Sequence, residues 1–276
     1  MDVIQAVVLG LIQGLAEFLP ISSSGHLAIA MAAMGIEEEP LLLAVLLHGG
    51  TLAAVLAVFW RDWWEMLKNP FKSKVLWLLV LATLPAAVLG VLLSSTIDRI
   101  FAAAWFVGIF FLGTAALLLI AEQFARNPVP TGRRARKPGL NDVRTTQALA
   151  MGMMQGVALF PGLSRSGSTI VGGMLSGLDR ATATKFSFMM SAPIIVGSMV
   201  FETRDLLKTE GGIAGALSGG WLAPLVGVLV AAVSGYFAIR WMLRLVQRVS
   251  LRWFALYTGV LGALVLLDHF VLHILF

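Results

Sequence analysis

Two short stretches of the sequence place hydroxyl groups beside a few ionisable side chains. The first holds Glu17, Ser22, Ser23, Ser24 and His26, and the second holds Ser164, Arg165, Ser166 and Thr169. Guanidinium and hydroxyl groups are typical ligands of phosphate oxygens, whereas a carboxylate or an imidazole can bind a cation or transfer a proton. If the fold brings the two stretches together, they predict a site for a phosphate or diphosphate anion.

An internal repeat relates the two stretches. With a shift of 142 residues and no gap, residues of the same type coincide: Gly10, Gln13, Gly14, Ala16, Phe18, Ser22, Ser24 and Gly25 fall on Gly152, Gln155, Gly156, Ala158, Phe160, Ser164, Ser166 and Gly167. Such self-similarity at one fixed shift indicates a duplicated unit. The four glycines at its start, two in each copy, predict close packing between helices rather than phosphate-binding loops.

The composition indicates a membrane protein. Hydrophobic residues make up 58% of the 276 residues and charged residues only 13%, whereas an average soluble chain is about 45–50% apolar and about a quarter charged. Six apolar runs approach the length of about 20 residues that a membrane-spanning helix needs. They cover residues 41–60, 75–95, 101–121, 186–201, 221–239 and 253–275. We therefore predict an all-α, polytopic integral membrane protein.

The chain is predicted to form a single membrane domain, residues 1–276, that contains two repeats. Residues 1–122 and 147–276 form the repeats, and residues 123–146 form a basic linker. Each repeat starts with a helical hairpin, residues 3–36 and 147–178, and continues with three of the predicted spans. The helix after each tip has room for 12 residues before a charged residue, so at about 1.5 Å per residue it reaches little more than half of the membrane. Both hairpins are therefore predicted to be re-entrant.

The number of spans in each repeat sets the relation between the two repeats. Because three crossings reverse the side from which the chain starts, the second repeat is predicted to be inverted, with the two hairpin tips converging. Lysines and arginines concentrate in residues 61–74, 123–146 and 240–252, whereas acidic residues 37–39 lie in an opposite loop. By the positive-inside tendency, the basic segments face the cytoplasm and both termini face outward.

The net charge is +5. The basic residues do not form an aromatic-rich face, which argues against nucleic-acid binding.

The polar side chains at the tips each allow a functional and a structural interpretation. Placing Glu17 or Arg165 at membrane depth costs at least about 2.5 kcal/mol, so both are candidate functional groups, although they can also simply pair with each other. Four serines can cap the helices that follow them instead of, or as well as, contacting phosphate: Ser22, Ser24, Ser166 and Ser168.

The histidines allow the same choice. His26, at the end of the first stretch, is either a group that moves a proton or attacks phosphorus, or a neutral histidine packed inside the protein. His48 lies within a predicted span beside Gly49, and we interpret it as a packing or supporting residue.

The two stretches resemble the signature motifs of a known protein family. Residues 13–26 and 161–169 are similar to those motifs in the bacterial undecaprenyl-diphosphatase family of the bacitracin-resistance type. Segments that begin at His48, Val58, Pro138 and Phe186 are similar as well, so the resemblance extends along the whole chain. It implies an integral membrane enzyme that hydrolyses undecaprenyl diphosphate to undecaprenyl phosphate and inorganic phosphate. Such an enzyme recycles the lipid carrier of peptidoglycan and cell-wall synthesis, confers bacitracin resistance, and uses a divalent cation, Mg²⁺ or Ca²⁺.

The resemblance also implies roles for individual residues. The functional positions of the family fall on Glu17, Ser23, His26, Ser164, Arg165 and Thr169. We assign Glu17, Ser23, His26 and Arg165 to catalysis. Phosphate binding is assigned to Ser22, Ser24, Ser164, Arg165, Ser166 and Thr169. Glu17 is the candidate metal ligand, with Gln13 as a second, because many relatives have a glutamate at that position. The nucleophile stays open between Ser23, His26 and water.

The remaining expectations concern location, partners and rival functions. The resemblance implies the bacterial inner membrane, a site that opens to the periplasmic face, a lipid diphosphate substrate and contact with membrane lipid. A homodimer is left open. A transporter or flippase for a phosphorylated lipid or small anion is the alternative function, since broken helices in inverted repeats are typical of transporters. A structural scaffold would leave the charges at the tips without a purpose.

Overall fold

The computed structural model describes residues 2–36, 41–101, 104–126, 139–208, 212 and 220–276, and the regular elements in these ranges are all helical. The α-helices are α1 (Val3–Ala16), α2 (Ser23–Ala33), α3 (Leu41–Val58), α4 (Trp60–Lys68), α5 (Lys74–Phe101), α6 (Ala104–Arg126), α7 (Thr145–Val157), α8 (Arg165–Leu175), α9 (Arg180–Leu206), α10 (Leu222–Leu245) and α11 (Arg252–Leu267). Single turns of 3₁₀-helix cover Pro70–Lys72 and Leu140–Asp142, and a π-helical turn covers Asp268–Leu272. The predicted all-α class is confirmed.

Five helices in the described ranges are long and apolar enough to cross a membrane: α5, α6, α9, α10 and α11 together with its π-helical turn. α3 and α4 meet at an angle of 77°. If the two helices together form one broken span, the number of crossings rises to six. The prediction of a polytopic membrane protein is therefore confirmed.

The longest helices extend beyond the predicted spans. α9 covers Arg180–Leu206 rather than 186–201 because the charges that interrupt the apolar run find partners. Arg180 Nη2 lies 2.6 Å from an oxygen of Glu122, and Lys185 Nζ lies 2.6 Å from an oxygen of Asp62. α5 likewise continues past residue 95 to Phe101, α6 covers 104–126 instead of 101–121, and α10 reaches residue 245 instead of 239.

Two predicted spans end early in the structure. The first, residues 41–60, loses its helical direction after Val58, where Phe59 separates α3 from α4. The last, residues 253–275, stops being helical after Leu272. There the carboxylate of Asp268 accepts hydrogen bonds from the backbone N–H groups of Ile274, Leu275 and Phe276 at 3.0–3.1 Å. These N–H groups bond to the carboxylate of Asp268 instead of to the backbone carbonyls of a continuing helix. The helix therefore ends here.

Short helix pairs occupy the positions of both predicted hairpins. α1 and α2 are joined by a turn at residues 17–22, and α7 and α8 by a turn at residues 158–164. Ser22 caps α2 and accepts a hydrogen bond from Gly25 N–H, while its repeat counterpart Ser164 caps α8 and accepts one from Gly167 N–H. The two copies therefore cap their second helix with the corresponding serine, although φ is 70° at Ser22 and −72° at Ser164. Re-entry into the membrane and inversion of the second copy stay predictions.

Glycines allow each hairpin to pack closely against the opposite half of the chain. α1 packs against α10, and α7 packs against α5. A Cβ atom at Gly10 would lie 2.6 Å from the carbonyl oxygen of Gly227, and one at Gly156 would lie 2.6 Å from Leu89 Cδ1. Added Cβ atoms at Gly14 and Gly152 would collide with Ser234 and Ala82 in the same two interfaces. The prediction that these glycines serve helix packing is confirmed.

Some predicted features lie outside the described residues. The acidic group at residues 37–39 and most of the basic linker, residues 127–138, are among them. Of the linker predicted for residues 123–146, α6 covers the part up to Arg126, and α7 already begins at Thr145.

Candidate active site

The two hairpin turns meet inside the fold. Ser166 Oγ, at the start of α8, donates a 2.8 Å hydrogen bond to the carbonyl oxygen of Leu19 in the first turn. Phe18 packs edge-on against Phe188 of α9, with 5.5 Å between the ring centroids, and both side chains are fully buried. This buried contact fixes the turn that carries Glu17 against the second half of the chain.

An ion pair joins the two turns. Arg165 Nη2 donates to Glu17 Oε1, and both side chains are largely buried. The second carboxylate oxygen, Oε2, accepts a 2.5 Å hydrogen bond from Ser23 Oγ and a 3.2 Å hydrogen bond from Gln13 Nε2. Glu17 and Arg165 therefore pair with each other, which was the structural interpretation of these two charges in the sequence. The same carboxylate also orients the hydroxyl group of Ser23.

A cavity of about 240 Å³ opens beside this ion pair. Ligand pockets usually enclose about 300–1,000 Å³, so this one suits a small polar headgroup better than a long hydrocarbon chain. The polar residues that line it come from both turns and from two long helices: Glu17, Ser23, Ser24, His48, Ser164, Arg165, Ser166 and Ser198. Six of these eight were predicted from the sequence, which missed His48 and Ser198 as lining residues.

Arg165 retains a donor that no protein group uses. Its Nη1 atom is buried and has no hydrogen-bond partner among the described residues. Buried polar groups almost always have a partner, so an orphaned guanidinium nitrogen beside a cavity indicates that a ligand supplies the acceptor. A phosphate oxygen is the acceptor that the planar guanidinium binds best.

The serines at the two helix starts form matching pairs. Ser22 Oγ lies 3.4 Å from Ser24 Oγ, and Ser164 Oγ lies 3.2 Å from Ser166 Oγ. Ser24, Ser164 and Ser166 line the cavity. Ser164 lines the cavity as predicted and also caps α8, a role that the sequence had suggested for Ser166 and Ser168 instead. Ser22 caps α2 with a φ of 70° and lies outside the cavity lining.

Thr169 and Gln13 do not line the cavity but contact residues that do. The hydroxyl of Thr169 is fully buried and lies within hydrogen-bonding distance of the carbonyl oxygens of Arg165 and Ser166, at 2.9 and 3.1 Å, and of Ser187 Oγ, at 2.6 Å. Thr169 thereby ties the first turn of α8, which carries Arg165, to α9. Gln13, 1% exposed, orients the carboxylate of Glu17.

His26 lies apart from the residues that line the cavity. Its Nδ1 lies 2.7 Å from the carbonyl oxygen of Ser22, and its Nε2 lies 2.7 Å from the hydroxyl of Tyr257 on α11. Because a carbonyl only accepts, Nδ1 carries the proton and Nε2 accepts from the tyrosine. Its ring also contacts the edge of Phe111 at 5.3 Å. Tyr257 was not identified from the sequence, and no motif around it could have indicated the contact.

His48 occupies the position beside the cavity that was expected for His26. It lies on α3, lines the cavity, and places its Nδ1 3.4 Å from an oxygen of Glu202 on α9. The side chains of His48 and Glu202 are 27% and 25% exposed. The family resemblance of the segment that begins at His48 was the signal that could have drawn attention to this residue.

The donor atoms around Glu17 are of the kind that bind hard cations. Glu17, Ser23 and the side-chain carbonyl of Gln13 all present oxygen, and Gln13 Oε1 is buried without a donor among the described residues. No group of three or more His, Asp or Glu residues in the described ranges is arranged to hold a metal. The residues therefore fit a cation held by one carboxylate together with phosphate oxygens of a ligand, a common mode for Mg²⁺.

Comparisons with known proteins identify close relatives over nearly the whole chain. The family model described as "Bacitracin resistance protein BacA" matches residues 6–264. The undecaprenyl-diphosphatase of Halothermothrix orenii is 36% identical over 270 residues, which cover 97% of this chain and 98% of the relative. Undecaprenyl-diphosphatase 4 of Bacillus thuringiensis subsp. konkukian is 39% identical over 266 residues, 96% of this chain and 97% of the relative. The undecaprenyl-diphosphatase of Methanobrevibacter smithii is 37% identical over 286 aligned residues, with coverage of 96% and 97%.

Proposed function

The chain belongs to the bacitracin resistance protein family, and from this membership we propose that it hydrolyses undecaprenyl diphosphate to undecaprenyl phosphate and inorganic phosphate. The reaction recycles the lipid carrier of peptidoglycan and cell-wall synthesis and confers bacitracin resistance. The single observation that carries the proposal is the buried contact between Arg165 and Glu17 beside a cavity lined with serines.

The cavity is suited to the terminal phosphate of the substrate. The orphaned Nη1 of Arg165 supplies a charged donor, and Ser24, Ser164 and Ser166 supply hydroxyl groups. The N-termini of α2 and α8 also lie here, and the positive end of a helix dipole attracts an anion. The isoprenoid tail would lie among the apolar helices, outside the cavity.

Catalysis by this site would rest mainly on positioning and electrostatics. The transition state of phosphoryl transfer spreads negative charge over the equatorial oxygens, and a fixed guanidinium stabilises that charge. The short contact of Ser23 with Glu17 supports Ser23 as the nucleophile or as the group that orients an attacking water. His26 would first have to give up its contact with Tyr257 before it could attack.

A divalent cation, Mg²⁺ or Ca²⁺, is part of the proposal. Glu17 would hold it, and the side-chain carbonyl of Gln13 would be a second ligand. When bound, the cation would neutralise part of the charge of the diphosphate.

We further propose the bacterial inner membrane as the location and the periplasmic face as the side on which the cavity opens. The concentration of lysines and arginines in the loops assigned to the cytoplasm supports this orientation. A homodimer stays an open prediction.

Phosphate release from undecaprenyl diphosphate by the purified protein in detergent tests the proposal. Arg165→Ala should abolish release while the protein stays folded, because no other arginine or lysine among the described residues lines the cavity. Arg240→Ala, on the exposed side of α10, is the matched control and should retain activity. A transporter would bind the lipid without releasing phosphate, so a lack of turnover in the unmodified protein would favour that alternative.

A further inference from the structure

Hydrolysis of a diphosphate near neutral pH liberates a proton. The trianionic diphosphate ester and water yield two phosphate dianions, so one proton has to leave the reacting oxygen. Among the described residues that line the cavity, only Glu17 and His48 have a side chain that can accept it. Both oxygens of Glu17 already accept hydrogen bonds, from Arg165, Ser23 and Gln13. Glu17 is engaged with Arg165 and Ser23, so we assign the proton of the attacking water to His48, which lines the same cavity.

The surroundings of His48 resemble those of a catalytic histidine. Its Nδ1 faces the carboxylate of Glu202 at 3.4 Å. A carboxylate at one ring nitrogen favours the tautomer that keeps the proton there, stabilises the imidazolium form, and makes the other nitrogen the basic one. His26 has a different environment, because a backbone carbonyl and a tyrosine hydroxyl engage its two nitrogens outside the cavity lining.

Polar groups also connect His48 with the end of the bundle. Ser198, one helical turn before Glu202 on α9, lines the cavity together with His48. With a rise of about 1.5 Å per residue, Glu202 lies about 6 Å along the helix axis from the end of α9. His48 lies about 10 Å along the axis from the start of α3. These helix ends lie on the side that the positive-inside tendency assigns to the exterior. We therefore expect the proton on His48 to leave toward this end of the bundle.

We propose that His48 is a further catalytic residue and that Glu202 is its positioning residue, an inference that rests on the proposed hydrolysis. When water adds to the terminal phosphorus, directly or at a phosphoserine, one of its O–H bonds breaks and the proton passes to His48. The new O–P bond replaces the bond to the leaving group, which departs with the electron pair. In the direct reaction the leaving group is undecaprenyl phosphate. In the other route Ser23 first gives its proton to Glu17, to which it is hydrogen-bonded, as its oxygen displaces undecaprenyl phosphate. When water then displaces the oxygen of Ser23 from phosphorus, that oxygen takes the proton back from Glu17. His48 then releases its proton to outside water.

The test measures kcat and KM for phosphate release from about pH 5 to about pH 9, a range that includes the ordinary pKa of histidine. His48→Gln should lower kcat by about 10²–10⁴-fold, the usual contribution of a general base, with little change in KM. The decline of kcat at acidic pH should also disappear. Added imidazole should partly restore His48→Ala. His273→Gln, near the C-terminus and away from the cavity, is the matched control and should behave like the unmodified protein.

Glu202→Gln provides a second, independent readout. Among the described residues, the charges beside His48 are Glu202, at 3.4 Å, and the pair of Glu17 and Arg165 that lines the same cavity. Removing one negative charge destabilises the imidazolium form, so the acidic decline of kcat should move to lower pH. The pH profile of Glu202→Gln also tests the role of His48 if His48→Gln fails to fold.

Two results would separate this inference from the proposed function. Unchanged kcat and pH profiles in both His48→Gln and Glu202→Gln, with Arg165→Ala inactive, would overturn the role of His48 and leave the hydrolysis intact. If the unmodified protein released no phosphate, the proposed function itself would fail.

Discussion

Arg165 donates to the carboxylate of Glu17 across 148 residues of sequence, and this one contact links the two hairpin turns at the cavity. The contact has two consequences. It stabilises both charges in a largely buried place, and it leaves the second guanidinium nitrogen, Nη1, available to a ligand. Stability and phosphate binding therefore depend on the same pair of residues.

Substituting Glu17 by glutamine should reduce both stability and activity. The change leaves the largely buried guanidinium of Arg165 without its counter-ion, and breaking a buried ion pair in this way costs about 3–5 kcal/mol. We expect a lower melting temperature in detergent and loss of phosphate release. Glu65→Gln, on the exposed face of α4, is the matched control. An unaltered melting temperature of Glu17→Gln would contradict the structural role of the pair.

A methyl group at Gly14 should lower both the stability and the activity of the protein, although Gly14 does not line the cavity. A Cβ there would collide with Ser234 Oγ and lie 2.5 Å from the carbonyl oxygen of Ala231, so α1 would have to move away from α10. Overpacking of this kind typically costs about 1–3 kcal/mol. Because Glu17 directly follows α1, Gly14→Ala should also lower kcat.

Gly197→Ala is the control for this experiment, since a Cβ at Gly197 meets no atom within 4 Å. The two variants would be compared by thermal unfolding and by phosphate release. Equal stability of both variants would show that the α1–α10 contact tolerates the methyl group.

Removing divalent cations should stop phosphate release, and adding Mg²⁺ or Ca²⁺ should restore it. Gln13→Leu should raise the cation concentration needed for half-maximal activity, because it removes the candidate carbonyl ligand beside Glu17. Its counterpart in the second repeat, Gln155, is equally buried but makes no hydrogen bond to Glu17, so Gln155→Leu is the control. Full activity in the presence of a chelator would rule out the cation.

The orientation in the membrane can be tested with single cysteines, because the chain contains none. A membrane-impermeant thiol reagent should label Lys208→Cys in intact cells, since the end of α9 is assigned to the outside. Arg248→Cys, in an exposed position after α10, should react only after the membrane is permeabilised. The reverse pattern would invert the assignment.

Much of this protein was predictable from local or compositional features. The excess of apolar residues over charges determines that the helices face lipid, and it does not depend on how they are arranged. The caps at Ser22 and Ser164 are local too, because each serine bonds to a backbone N–H three residues later. The repeat correctly related the two turns, since duplicated sequences form similar local structure.

Contacts between distant helices could not be predicted in this way. The sequence suggested that Arg180 and Lys185 lie outside the fourth span, yet both are part of α9 because Glu122 and Asp62 pack beside them. It also favoured His26 over His48 as the functional histidine, since His26 belongs to the motif. Only the packing of α11 against the start of α2 gives His26 its partner Tyr257.

The sequence by itself therefore determined the class of the protein, its repeated unit and most of the polar residues around the cavity, because these follow from composition and from residues close together in the chain. The tertiary structure decided that His48 and Ser198 line the cavity, while Ser22, Thr169 and His26 do not. The physical reason is that a side chain faces a cavity only when its helix is packed at a particular rotation against its neighbours, and residues far away in the sequence set that rotation.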